Sequence, residues 1–512
     1  MSEVIPKELT LENVQNLSSV IESSEHQSII NSNGSSFTVG SGSSGVYVNF
    51  NLPSGSNLNI DLASLWITGD LQIPSFTPAA NTYVTLANNI ESMIDMVQIL
   101  FGGEIIEEIR NYYLIESALL PYNVNNNYVN AVQPASLEGN WLMKHTLLCS
   151  GSAPLANSPK IFNKLNFGFP LRLSGFMNSN KLLPTYLSQS SNFQIRIYLK
   201  NVEEVVKTFT LSLAVGTSGD ASKGAATPIS SYVVSNFKMH YKACRVSNNY
   251  MGQIMSYASS NEITVPIRTW YSEIKNLTIP ASSSSFSWSE SITANFSSTD
   301  AVYVAFFQNL NDQAEFGSDR VRFPGYKAAD PNTGAGVGGL QTARLLINGR
   351  SIPSGQPISY ENGGAEGLIH LLKALNSNRL GDVIGNYGMD TINIMPTNGS
   401  GIGDWRVPKG YYYAREMDAT NVPLLTGNTA PNKWSGALAD RISYFVMGFD
   451  LRRSDYADDA ILSGLDMSQS TGQITLQCQF NNSTTSVSYT VLFMVAHTRV
   501  LSLSTENIKV IS

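Results

Sequence analysis

Several groups of residues have the types and spacings that chemistry needs. Asp450, Asp455, Asp458, Asp459 and Asp466 cluster beside Arg452 and Arg453, and closely spaced carboxylates are what a hard divalent cation requires. They lack the D-x-D-x-D-G alternation of a calcium loop. A solvated loop with local ion pairs is the plainer reading, and an ion near Asp455–Asp459 the sharper one. Glu104, Glu107 and Glu108 could supply a carboxylate pair for acid–base work. They follow Gly102-Gly103 and are expected to open a helix, where acidic side chains suit the macrodipole, and that accounts for them without catalysis. Gly334-Ala-Gly-Val-Gly-Gly339 matches G-x-G-x-x-G, a motif that holds a pyrophosphate only between a strand and a helix N-terminus. Here Asp330-Pro331 precedes it and Arg344–Ile347 reads as a strand, so a loop is expected. His26, His145, His240, His370 and His497 are dispersed, and no H-E-x-x-H, G-x-S-x-G or P-loop occurs. We therefore assign no catalytic, cofactor-binding or metal-ligating residue and no cofactor, and expect no enzyme.

Composition narrows the classes further. Of 512 residues, 42% are hydrophobic and 14% charged, with 32 Lys+Arg against 39 Asp+Glu and a net charge of −7. That supports a large core and argues against bulk nucleic-acid binding, which needs clustered positive charge. Cys149, Cys244 and Cys478 are odd in number and far apart, so neither a disulfide framework nor a zinc site is expected, and a reducing place of synthesis fits. The start, MSEVIPKELTLEN, has no basic and apolar leader pattern, so no signal peptide is read. The longest apolar runs, Ala301–Phe307 and Tyr489–Ala496, suit strands and are too short to span a membrane as helices.

The elements that must position these residues are mostly strands. Leu11, Val14, Leu17 and Ile21 recur at helical spacing behind Thr10, a suitable N-cap. Asn31–Gly45 is rich in Ser, Gly and Asn. Together they read as a helical arm and a linker. From residue 46 the pattern alternates with period two: Val46–Phe50, Leu58–Leu62, Asn192–Leu199, Ala301–Phe307, Gln473–Cys478 and Ser488–Val495. Such strands between Ser/Asn/Gly turns indicate antiparallel sandwiches or barrels. Helical pattern is confined to Ile109–Leu120, stopped by Pro121, and to Gly367–Leu375.

Two echoes suggest a duplicated plan. Val97–Gly103, an apolar strand ending in Gly-Gly before a helix, resembles Arg344–Gly349, a strand ending in Asn-Gly before a helix. Both dipeptides suit a two-residue hairpin with positive φ. Leu173-Ser-Gly-Phe176 before the strand Phe193–Leu199 resembles Leu462-Ser-Gly-Leu465 before Gln473–Cys478. The second unit carries the extra length, about 310–445, as long Gly/Asn/Pro/Tyr-rich loops.

Particular stretches also resemble a known family. Asn88–Tyr112, with its strand, Gly-Gly turn and Glu-Ile-Ile-Glu-Glu-Ile, is similar to a recurrent segment of double jelly-roll major capsid proteins, the lineage of adenovirus hexon, virophages and polinton-like viruses. Phe169–Phe176 with Lys181-Leu-Leu-Pro184, Phe237–Val246 and Tyr489–Leu503 resemble later strands of that family in the same order. The resemblance implies an all-β chain with two jelly rolls side by side. It would comprise an arm and linker at 1–45, a first roll at 46–245, and a second at 246–512 with its loop insertions. It implies a major capsid protein whose homotrimers form pseudo-hexameric capsomers of an icosahedral shell. Partners would be neighbouring capsomers, penton and minor or cement proteins, and an internal membrane met by the arm, without sequence-specific nucleic-acid binding. The location would be the virion, assembled inside the host cell. The competing class is a carbohydrate-binding or adhesive β-sandwich, with Trp405 and Tyr411-Tyr-Tyr413 as candidate platforms. A jelly-roll glycoside hydrolase would need a carboxylate pair that the sequence does not locate.

Overall fold

A computed structural model describes residues 21–74, 82–86, 90–123, 147–150, 164–177, 179, 181–188, 192–212, 222–225, 229–282, 284–308, 340–360, 365–375, 392–394, 405–407, 446–452, 464–468, 471–481, 486–503 and 508–511. The first unit contains β1 (Ile21–Ile30), β2 (Ser36–Gly40), β3 (Tyr47–Asn51), β4 (Leu58–Gln72), β5 (Thr82–Leu86), β6 (Ile94–Phe101) and β7 (Glu104–Arg110). Helix α1 (Tyr112–Asn123) follows, then β8 (Leu147–Ser150), β9 (Leu165–Phe169), β10 (Leu182–Pro184), β11 (Phe193–Leu199), β12 (Val206–Ser212), β13 (Ser222–Ala225) and β14 (Ser231–Val246). Helix α2 (Asn248–Ser260), capped by the Ser247 side chain accepting from the Tyr250 amide, leads into the second unit. That unit has β15 (Ile263–Ile279), β16 (Phe286–Thr293), β17 (Thr299–Gln308), β18 (Leu340–Ile347), β19 (Arg350–Ile352), β20 (Ile358–Ser359) and helix α3 (Ala365–Ala374). It ends with β21 (Ile392–Ile394), β22 (Trp405–Val407), β23 (Met447–Asp450), β24 (Gln473–Phe480), β25 (Val487–Leu503) and β26 (Ile508–Ile511).

The two units repeat one topology. In the first, one sheet runs β1-β14-β4-β10, with β2 extending the β1 edge and β9 the β10 edge, and the facing sheet runs β3-β11-β6-β7. In the second, one sheet runs β15-β25-β17-β23 and its partner β16-β24-β18-β19. Taken in chain order, the strands occupy matching places: β1/β2 with β15, β3 with β16, β4 with β17, β6 with β18, β7 with β19, β9/β10 with β23, β11 with β24 and β14 with β25. Both are eight-stranded antiparallel double sheets, the jelly-roll arrangement, which leaves few open edges. A further sheet, β13-β12-β5-β8, belongs to the first roll.

The paired echoes fall on equivalent hairpins. Gly102 and Gly103 have φ of 60° and 93°, and Asn348 and Gly349 have 48° and 81°. Two successive positive φ angles match the right-handed twist of a tight hairpin, and Gly or Asn bears them with least strain. The Gly367–Leu375 helix is found as α3, while α1 runs past Pro121 into its last turn, to Asn123.

Two expectations need correction. Residues 21–30 and 36–40 are strand, with Ile21–Ile30 and Ser36–Gly40 both paired along β14. They therefore join the first roll's sheet instead of forming an arm and linker. Ile-Glu-Ser-Ser-Glu-His-Gln-Ser-Ile-Ile buries little and lies on a sheet edge, where a polar sequence is what solvent selects. Residues 1–20, with the Leu11–Leu17 spacing, lie outside the described residues. Glu104–Arg110 is a strand and not the opening of a helix, because the hairpin turn immediately returns the chain beside β6.

The apolar runs find their explanation in two-sided burial. On β17, Ala301, Tyr303, Ala305 and Phe307 enter a core continuous with the first roll, while Val302, Val304 and Phe306 enter the second roll's own core. On β25, Leu492, Met494 and Ala496 alternate in the same way with Val491, Phe493 and Val495. A strand covered on both faces must be apolar at every position. Each fully buried side chain of this size contributes roughly 1.5–3 kcal/mol.

Two glycine substitutions test the backbone reading by chemical denaturation. Gly103→Ala is expected to destabilise by about 1–2 kcal/mol through its left-handed φ alone, since nothing lies within 4 Å of an added Cβ. Gly252→Ala, inside α2 and equally uncrowded, is expected to stabilise by about 0.5–1 kcal/mol.

Candidate functional site in the seam between the rolls

The polar residues that the fold brings together lie where the rolls meet. β7 is an edge strand of the first roll and β15 an edge strand of the second, and they lie against each other. Alternation along β7 turns Glu108 outward, where it accepts from Gln98 Nε2 and Arg110 Nε, each at 2.6 Å. Glu104 is exposed at the hairpin. Glu107 points into the seam and is 1% exposed. The three glutamates are thus dispersed over turn, surface and seam, and form no carboxylate pair.

Glu107 is held as an acceptor. Ser174 Oγ donates to Oε2 at 2.6 Å, the Gly175 amide to Oε1 at 2.8 Å and the Phe176 amide to Oε2 at 3.4 Å. Thr269 on β15 turns its hydroxyl toward the same carboxylate without closing a hydrogen bond of good geometry. Burial pushes the carboxyl above its ordinary range, against the pull of these donors. Gly175 is pressed on the β15 backbone so closely that an added Cβ would collide with the Arg268 carbonyl oxygen. One residue further along, Asn111 at φ 53° donates to Ser272 Oγ at 3.1 Å, and that hydroxyl donates to the Arg110 carbonyl at 2.8 Å. Arg268 Nε in turn lies 3.5 Å from Asp300 Oδ2, which accepts from Thr498 Oγ1 at 2.9 Å.

The Leu-Ser-Gly echo was the sequence signal for this place. Ser174-Gly175 supplies the Glu107 donors, and Gly464 occupies a comparably tight seat, where a Cβ would come 2.5 Å from Ser298 Oγ. No spacing along the chain signals the pairing of Glu91, Arg172 and Glu116. Arg172 Nη1 lies 3.7 Å from Glu91 Oε2 and 3.5 Å from Glu116 Oε1, beneath α1. Asp70 is a further buried carboxylate, reached by Lys164 Nζ at 2.6 Å and by the Asn166 and Asn236 side chains. Despite burial, these partners hold it below its ordinary pKa.

The remaining candidates separate. Asp450 accepts from Arg452 Nε at 2.8 Å, whose guanidinium also donates to the Lys373 carbonyl. Asp466 accepts from Ser468. Asp455, Asp458, Asp459, Arg453, Gly334–Gly339, His145 and Tyr411–Tyr413 lie outside the described residues. No group of three or more metal-binding side chains occurs among the described residues. Cys244 and Cys478 are buried free thiols, each pushed up by burial. His497 is the one deeply buried histidine among those described. Its ring stacks on Phe296 at 3.6 Å and 4°, and burial, with Arg499 nearby, lowers its pKa to about 3.

What this arrangement does chemically is hold two rolls rigidly together. The Asn111–Ser272–Arg110 hydrogen bonds across the seam, over an apolar core shared by both rolls, make the joint. Glu107→Gln turns an amide donor toward existing donors and is expected to cost on the order of 1–3 kcal/mol in urea unfolding. Glu104→Gln, at the exposed turn, should stay within about 0.5 kcal/mol. His497 sets an acid limit. Its stabilising contribution is complete above the ordinary imidazole value of 6.5 and is lost as pH falls toward about 3. Between pH 7 and pH 5 the loss is about 2 kcal/mol. His497→Phe, which keeps the stack on Phe296, is expected to flatten that part of the pH–stability curve.

No family model and no curated protein matches the sequence. Solved structures do. The chain is similar to the PBCV-1 virus capsid, with a TM-score of 0.52, 10% identity, and 96% of this chain and 97% of that chain covered. It is similar to the Faustovirus major capsid protein, with a TM-score of 0.51, 8% identity, and coverage of 94% and 90%. It is also similar to the Sputnik virophage structure, with a TM-score of 0.50, 13% identity, and coverage of 100% and 93%. At such identities the likeness carries the fold. The matched strand orders and the near-complete coverage together establish that the chain has the double jelly-roll fold of viral major capsid proteins.

Proposed function

We propose that this protein is a major capsid protein and acts as a building block of a viral shell, not as an enzyme. The observation that carries the reading is the pair of topologically matched rolls joined edge to edge, together with likeness along almost the full length of capsid proteins. The joint is heterologous: the β7 edge of the first roll meets the β15 edge of the second. Its counterparts, β19 on the second roll and β1/β2 on the first, are outer edges of their sheets. A head-to-tail contact that repeats between chains closes into a ring when its rotation divides a full turn. Two rolls per chain and three chains give six rolls, a pseudo-hexameric capsomer suited to tiling an icosahedral lattice.

Two exposed apolar side chains support the same assignment. Ile30 on β1 is 70% exposed and Ile369 on α3 is 54% exposed. α1 stands at the equivalent point of the first roll, and Tyr112–Leu119 are all buried, with the helix lying against β25. We assign α3 the same role toward a neighbouring copy. Vertex and cement proteins, and an internal membrane met by residues 1–20, remain proposed partners, and the virion the proposed location.

The test is native mass by light scattering, followed by electron microscopy of the purified protein. A species of three times 55.7 kDa, about 167 kDa, with a hexagonal outline is expected. Ile369→Glu is expected to shift it to the monomer without loss of fold. A wild-type monomer at micromolar concentration would overturn the reading.

A further inference from the structure

The two seams of such a ring are built from different materials. Inside the chain, the outward row of β25 is Leu492, Met494 and Ala496, all fully buried. On β14, the equivalent strand, the outward row is Lys238, His240 and Lys242, alternating with buried Met239 and Tyr241. The strands on either side complete the face. On β1, Ile30 stands opposite Lys238, Ser28 opposite His240 and His26 opposite Lys242. On β4, Thr68, Trp66 and Asp61 stand opposite the same three residues. His240 Nε2 lies 2.8 Å from Thr68 Oγ1. Two histidines and two lysines therefore share one face with a single carboxylate, Asp61. Glu22 and Glu25 on β1, Arg245 further along β14, and Asp70 at the far end of β4, where Lys164 pairs with it, complete the charged groups of these strands.

We propose that this face receives α3 of a neighbouring copy, and that His240 gates the contact, which forms with its imidazole neutral and opens when it is protonated beside Lys238 and Lys242. The proposal rests on the capsomer reading above. The occupant follows from continuity with the seam already described. α1 of the first roll covers β25 within the chain, so α3, the equivalent helix, covers β14 between chains. α3 brings exposed Glu366, Ile369 and Lys373 and half-buried His370. Asp61 and Glu366 together do not neutralise Lys238, Lys242 and Lys373, so no carboxylate is left to offset a further positive charge.

The sign follows from burial. Covering an imidazole among lysines disfavours its charged form. Burial and Lys238 already lower the pKa of His240 in the single chain. Association is then complete above the ordinary imidazole range and is lost as pH falls through it. With one proton taken up per contact on opening, each contact is expected to weaken by up to about 10-fold between pH 7.5 and pH 5.5.

The test measures the trimer–monomer equilibrium of the full chain by sedimentation at fixed ionic strength, from pH 5.5 to pH 8. Wild type is expected to associate more weakly on acidification, while His240→Gln, which keeps a hydrogen-bonding group for Thr68, stays as tightly trimeric at pH 5.5 as at pH 8. A trimer equally tight at both pH values overturns the gate and leaves the capsomer. A variant that dissociates like wild type also overturns the gate. A monomer at every pH removes the capsomer reading and the gate with it. The outward residues Lys238, His240 and Lys242 stand two residues apart, about 6.6–6.8 Å along the strand, close to the phosphate spacing of an extended polynucleotide. A thymidine oligonucleotide that binds the wild-type trimer but not Lys238→Gln/Lys242→Gln would reassign the face to a phosphate backbone and overturn the proposal.

Discussion

The covering of one edge strand by another is the constraint on which the rest of the molecule depends. An exposed edge is a row of unpaired amides and carbonyls, open to any strand that passes. Here β7 and β15 shield each other, and they do so without merging into one sheet. Side chains bridge the gap instead, with Asn111 and Ser272 taking the place of a backbone ladder and the Glu107 carboxylate buried beside them. That choice keeps the rolls distinct while fixing their relative position. It also explains why a carboxylate is tolerated out of water: it is the one group that can accept from several amides and hydroxyls at once.

The fold was largely legible in the sequence, for physical reasons that differ by element. Strands such as Phe193–Leu199 announced themselves because one face is buried and the other wet, so the side chains alternate. The Gly102-Gly103 and Asn348-Gly349 turns were readable because positive φ restricts residue choice. β1 was not readable as strand, since its Ser, Glu and Gln side chains record solvent and not pairing. Glu107 was visible only as a member of an acidic group. Its partners come from Ser174–Phe176 and from β15, and no local spacing connects positions so far apart. The buried Glu91–Arg172–Glu116 association was hidden for the same reason. By contrast, the Leu-Ser-Gly echo survived because glycine was required twice by the same crowding.

The difference between the two seams gives the chain a division of labour. An apolar contact buried on both sides, as along β17 and β25, loses little to salt or pH and holds once made. A polar face with exposed Ile30 at its margin is held by fewer and weaker terms, and responds to its surroundings. In the proposed ring of three chains, joining two rolls in one chain removes three of the six joints from the reversible class. The remaining joints then carry whatever adjustability the assembly has.

The position of the closing strands has a consequence for how the chain is made. β14 and β25 are each the last long strand of their roll, yet each lies in the interior of its sheet. The first roll can close once Val246 has left the ribosome. The second cannot, because β15 waits for its seventeen-residue partner β25 across the whole intervening sequence. During that interval β17 stands with both apolar faces bare, and β7 has no strand to shelter it. A nascent chain in this state is a target for chaperones and a hazard in crowded synthesis. Slow translation between residues 280 and 490 would lengthen the exposure, so the economy of the finished joint is set against vulnerability while it is being built.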